Sequence, residues 1–345
     1  MRPRPSSGGA PQRLLGGWQA AVALVVVSAH PSVRLFAQDQ PLNSGALFLL
    51  FPVGAQSVGA GQTAAAFEGH GEAVFLNPAG VGSLSDNEFT LHTAHLAAGT
   101  TNALTVFFPR HGIGVFGAAF DLVDYGDIPV TDSGTGATIG RVSSRNFALL
   151  ATYATQLTGS FALGVTYKLI EFRVDCSGQC DRVPGRGQGL THALDLGGQF
   201  SVGSDHALRV GIALRNLGFP LQVNNKDQAD PLPTRLVVGA AYRVMLRPTA
   251  DVPGADRFDL RVAADVESPW REAGNPGVRV GVDVGYREVV RVRGGYAFVR
   301  EGLSGPSIGV GVATGSIGVD LAQTFLAATD LVVANPTFIS FRVAF

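Results

Sequence analysis

Apolar and polar residues alternate along most of this chain, the two-residue period of a pleated strand whose two faces meet different surroundings. From Phe161 to Leu169, the residues Phe161, Leu163, Val165, Tyr167 and Leu169 share one face, with Ala162, Gly164, Thr166 and Lys168 on the other. The stretch Phe258 to Val266 repeats the pattern, placing Asp259, Arg261, Ala263 and Asp265 opposite an apolar face. Val278 to Val284 sets its valines against Arg279 and Asp283, and Val290 to Phe298 carries Arg291 and Arg293 in the same way. Charges on one face of otherwise apolar strands must meet water. These eight charged side chains are therefore expected to form a hydrated, mutually compensating lining.

The pattern predicts about fourteen strands of the roughly ten-residue length used by transmembrane barrels, the first at Glu88 to Leu96 and the last at Thr337 to Phe345. Tight connections such as Pro109 to His111, Thr158 to Ser160 and Thr314 to Ser316 alternate with longer ones such as Val123 to Arg145, Val174 to Leu190 and Leu217 to Leu232. Barrels of this kind keep short turns on the periplasmic side and long loops outside. Two connections depart from the rule, a short one at Ala97 to Thr100 and a long one at Leu246 to Asp256. A two-sheet sandwich would also alternate, but its solvent face would carry large polar groups throughout, whereas here many of those positions are Gly or Ala.

Composition agrees with this reading. The chain of 345 residues is 46% hydrophobic and only 15% charged, below the share of roughly 25% usual for soluble domains. Its 45 glycines suit turns and close strand packing. A formal net charge of -1 argues against general nucleic-acid binding.

The two ends supply an address. Arg2, Arg4 and Arg13 precede the apolar run Ala20 to Val27, and small-residue sites follow at Ala29 and Ala37, which is the order of a secretory signal. Cleavage after Ala37 is favoured over Ala29. The run is shorter than the ~20 residues of a spanning helix. At the other end Ile339, Phe341, Val343 and Phe345 share a face, and a final alternating strand ending in Phe resembles the insertion signal read by outer-membrane barrel machinery.

Little in the chain carries chemistry. Cys176 and Cys180, four residues apart in one loop of an exported chain, read as a local disulfide; a metal or redox site is the lesser alternative, because no His lies in that loop. His92 and His95 fall on opposite faces of a strand. No nucleophile elbow, phosphate loop or zinc-binding helix motif is present. No enzyme activity and no cofactor are expected.

One stretch does not read as a strand. Phe51 to Ala64, rich in Gly and Ala and including Gly54, Gly59 and Gly61, leads to Phe75-Leu76-Asn77-Pro78-Ala79-Gly80. With Asp124-Tyr125-Gly126-Asp127-Ile128-Pro129, Arg215-Asn216-Leu217-Gly218 and Arg293-Gly294-Gly295-Tyr296, it resembles the PorV/PorQ-type outer-membrane proteins, relatives of the FadL fatty-acid transporters. Glu68 to Glu72 stands where that family usually carries acidic residues. The resemblance implies that 38–87 forms a hatch inside the lumen, centred on Gly54, Gly59, Gly61, Asn77, Pro78 and Gly80, after a signal at 1–37 and before a barrel at 88–345. It implies an outer-membrane monomer in contact with lipid, with two possible roles. A PorV-like barrel would support protein secretion or surface attachment, meeting secretion-system components and cargo. A FadL-like one would admit small hydrophobic compounds.

Overall fold

The computed structural model describes residues 44–345, apart from short segments at 97, 180–186, 204–205, 224–228, 247–257, 271–275, 288, 300–303 and 329–330. The expected signal and Cys180 lie outside the described residues. Fourteen antiparallel strands close into one barrel. They are β1 (Glu88–Leu96), β2 (Gly99–Arg110), β3 (Gly114–Thr131), β4 (Thr138–Thr158), β5 (Phe161–Gly178), β6 (Gly187–Val202), β7 (Leu208–Gly218), β8 (Arg235–Leu246), β9 (Phe258–Pro269), β10 (Gly277–Tyr286), β11 (Val290–Phe298), β12 (Gly305–Thr314), β13 (Ile317–Thr324) and β16 (Thr337–Ala344). A separate two-stranded hairpin, β14 (Leu326–Ala328) with β15 (Leu331–Ala334), sits in the last long connection. Each barrel strand pairs with its neighbours in sequence, and β1 closes the sheet against β16 from Glu88↔Ala344 to His95↔Thr337. No helix among the described residues is long and apolar enough to cross a membrane.

The alternation has a direct structural meaning. On the outer face stand residues such as Leu163, Val165, Tyr167, Leu196, Ile212, Val262, Val280 and Val292, all uncovered. Among the described residues that face carries no charged side chain between the two rims. Small and polar residues alternate with them toward the lumen. A closed sheet leaves no strand edge unpaired, the condition for β-structure in hydrocarbon.

Three strands are longer than expected. The reading ended β3 near Leu122, began β4 near Asn146 and ended β5 near Leu169, yet they run 18, 21 and 18 residues. The supposed loops Val123 to Arg145 and Val174 to Leu190 are thus partly strand, rising beyond the barrel wall. On β3 the alternation is interrupted by a bulge between Asp124 and Asp127. One extra residue reverses the alternation on β3, so the pattern loses its period where the strand does not end.

Candidate functional site

The lumen is filled by the chain segment that precedes β1. Gly45 N–H donates to Pro231 O at the long-loop end of the barrel, and Phe345 N–H donates to Asn87 O at the short-turn end, so this plug traverses the lumen from one end to the other. Its regular pieces are short: 3-10 turns at Leu47–Leu50, Gly71–Phe75 and Pro78–Ser83, and α1 at Ala55–Gly59. Gly and Ala dominate because the plug backbone lies directly against the wall. A Cβ on Gly59 would stand 2.9 Å from the Cα of Gly309. On the wall, a Cβ on Gly211 would overlap the Ala65 carbonyl, one on Gly281 the Ala60 carbonyl, and one on Gly164 the Pro78 backbone. Gly61 also requires glycine conformationally, at φ 70°.

Wall side chains hold the plug by its backbone. Asp265 accepts from Ala65 N–H at 3.0 Å and from Ala64 N–H. Gln199 donates to Ala65 O at 3.0 Å and Phe67 O at 2.8 Å, and Arg261 donates to Ala66 O at 3.0 Å. Ser340 accepts from Ala55 N–H at 2.9 Å, and Gln56 reaches Asp320 at 2.9 Å. These contacts satisfy backbone groups that an irregular buried segment would otherwise leave unpaired, at about 1–3 kcal/mol each.

Within the plug, Asn77 is fully buried. It caps the turn Pro78–Ser83 by accepting from Ala79 N–H at 3.1 Å and donates to Ala65 O at 2.7 Å. Pro78 occupies the first position of that turn, where its missing N–H costs nothing. Gly80 backs onto Phe67 O. Glu72 accepts from Ser57 N–H at 2.8 Å and Gln56 N–H at 3.4 Å, under α1. Burial pushes its carboxyl up to about 7, outweighing the pull of the Ser57 hydrogen bonds.

The wall charges divide into two settings. Lys168 was expected in a hydrated lining, but it is buried: it pairs with Asp195 at 2.7 Å and donates to Asn216 at 2.7 Å. Asp265 likewise meets the plug and not water. The plug explains both, since it occupies the space an open lumen would give to solvent. Arg279 joins Arg215 and Arg235 around Glu267. Asp259, Arg261, Asp283, Arg291 and Arg293 instead line a cavity of about 850 Å³ at the short-turn end. There Arg291 bridges Asp283 at 2.7 Å and Asp259 at 2.8 Å, while Arg293 bridges Asp283 at 3.0 Å and Asp320.

Near the long-loop end the lumen is partly apolar. Phe48, Leu49, Val123, Ile170, Leu221, Leu232 and Val237 are buried together, and Phe51, Tyr125, Phe172 and Val223 pack on them half-covered. The gap under Leu49, Phe51, Val53 and Phe75 is only about 20 Å³. No group of metal-ligand character appears among the described residues. Cys176 is disulfide-bonded. Phe341 on β16 and Phe345 just after it stand uncovered, and Val343 is half-buried.

Sequence reasoning missed Glu72, Gln199, Asp320, Ser340 and the wall glycines as plug contacts. Gln199 and Asp195 do lie on the polar face of an alternating strand, which was the available signal. Nothing in the sequence pairs Gln199 with a segment more than 100 residues earlier.

No protein-family model matches the sequence, and neither does any curated protein. Solved structures do. The toluene transporter TbuX of Ralstonia pickettii matches with a TM-score of 0.54 at 15% identity, over 85% of this chain and 98% of TbuX. The monoaromatic hydrocarbon channel CymD matches with 0.54 at 14% identity, over 85% and 97%. The Pseudomonas putida toluene transporter TodX matches with 0.55 at 13% identity, over 84% and 96%. At these identities the likeness is one of fold.

Proposed function

We propose that this chain, sharing its barrel architecture with the aromatic-hydrocarbon channels, is an outer-membrane channel for small hydrophobic compounds that is closed at rest by its own N-terminal segment. The observation that carries the reading is the plug itself. It fills the lumen of a barrel with an uncharged outer belt, yet it is built from short turns seated on glycines and held by side-chain hydrogen bonds, with no strand of its own in the sheet. Such a segment can shift without breaking the wall. The half-covered Phe51, Tyr125 and Phe172 at the loop end offer an apolar surface on which a hydrophobic compound would first settle. The uncharged belt supports an outer-membrane location.

A protein-export role of the PorV/PorQ kind rests on the sequence resemblance. Its most specific motif, Asn77 to Gly80, serves here to seat the plug, a task common to any plugged barrel, so the geometry gives that role no support of its own.

Uptake of labelled toluene at low concentration, compared between cells with and without the gene, tests the proposal. The channel reading expects slower uptake on deletion. Equal uptake of toluene and of a labelled long-chain fatty acid, together with an altered secreted proteome, would sink it in favour of export.

A further inference from the structure

The cavity at the short-turn end has a charge imbalance that the plug does not explain. Around it Arg209, Arg243, Arg261, Arg291 and Arg293 share four carboxylates, Glu68, Asp259, Asp283 and Asp320, while Arg342 is paired with Glu88. Pairing register places Arg243 on β8 directly opposite Arg261 on β9, and Arg261 opposite Asp283 on β10. Side chains facing each other in this way have Cβ atoms about 5 Å apart, and like charges so placed destabilise a sheet unless compensated.

The nearby carboxylates are already engaged. Asp283 is held by Arg291 at 2.7 Å and Arg293 at 3.0 Å. Asp259 is bound by Arg291 at 2.8 Å and lies 3.4 Å from Arg243. Glu68, the carboxylate on the facing plug corner, is paired with Arg209. Arg261 has only the Ala66 carbonyl at 3.0 Å and the Phe67 ring at 5.6 Å, with no carboxylate in ion-pair range among the described residues. Arg243 is 45% exposed, so the pair is open to solvent through the cavity.

We propose that Arg243 and Arg261 form a binding site for the oxyanion, carboxylate or phosphate, of a solute in this cavity. Guanidiniums at facing positions of neighbouring strands offer forked N–H donors that suit the planar, two-oxygen geometry of such groups. The anion supplies the counter-charge that Arg261 lacks. Asp259, Asp283 and Glu68 oppose it, but each already has an arginine of its own, and Arg261 is the guanidinium they leave over. The site goes beyond the hydrophobic route proposed above, since it lies at the opposite end of the lumen and takes the opposite chemistry.

Calorimetric titration of the full-length protein in a neutral detergent, with inorganic phosphate in one arm and benzoate in the other, tests this. At least one probe should bind, more weakly as salt is added. Arg261→Gln should weaken that binding by about tenfold or more, the value of a hydrogen bond to a charged group, and Arg261→Lys should recover part of it. Arg243→Gln, at a position with no contact to the plug, gives the same test if Arg261→Gln does not fold, as judged by heat-modifiable gel migration. Absence of binding by both probes, or binding unchanged in the Gln variant that folds, overturns the site. Binding is read on the protein alone, so failed toluene uptake leaves the oxyanion site standing, and failed titration leaves the channel reading standing.

Discussion

Gly281 on β10 stands directly behind Ala60 of the plug, so that a methyl group on Gly281 would occupy the space of the Ala60 carbonyl. Gly281→Ala is therefore expected to unseat the plug while leaving the sheet intact. Ion conductance across planar bilayers should rise, with heat-modifiable migration retained. Gly294→Ala is the control, because nothing lies nearer than 4.0 Å to a Cβ there. Equal conductance of both variants and the parent would refute the seat.

Lys168 and Asp195 are buried together at 2.7 Å. Lys168→Met leaves Asp195 charged and buried and should cost ~3–5 kcal/mol, read as a lower denaturant midpoint. The double variant Lys168→Met with Asp195→Leu should recover most of that loss. If the double variant is as unstable as the single one, the pair is not the source.

Asp265 holds two plug amides at once. Asp265→Ala should cost about 1–3 kcal/mol per amide left unpaired and accelerate hydrogen exchange at Ala64 and Ala65 far more than at the strand amides. Exchange that rises equally everywhere would point to global weakening and exclude a local latch.

Glu72 belongs to the plug and not to a spanning strand, and its carboxyl is raised from 4.5 to about 7. A raised value means that the folded state prefers the protonated acid. Its contribution is complete below pH 4.5 and is lost as pH climbs through about 7. Protease cleavage near the plug corner Glu68 to His70 should increase over that window, and Glu72→Gln should abolish the increase. A Gln variant that keeps the full pH response would assign the effect to another group.

Legibility in the sequence followed the range of the interactions. The wall was readable because each strand states its own two faces: Asp259, Arg261 and Asp265 declare a lumen side within seven residues. The reading failed first at Asp124 to Asp127, where one inserted residue reverses the alternation and a continuing strand looks like a loop. The plug was suggested by its glycines and by Asn77-Pro78-Ala79-Gly80, but its seat was not. Nothing in the sequence singles out Gly211 and Gly281, against which Ala65 and Ala60 lie. Lys168 was assigned to water because the reading could not say how completely the lumen is filled.

The bond from Ala55 N–H to Ser340 spans 285 residues. It joins the first described part of the chain to its last strand, which also supplies the seam with β1. The barrel is thus wrapped around its contents, and its closing strand reaches its partners only when they are already inside. Such long-range closure is slow to find. A chain lacking residues 44–80 has less to enclose, and its folded, heat-modifiable band should appear sooner after dilution from urea into detergent. If it appears no sooner, the order of assembly is the reverse, with an empty barrel admitting its plug afterwards.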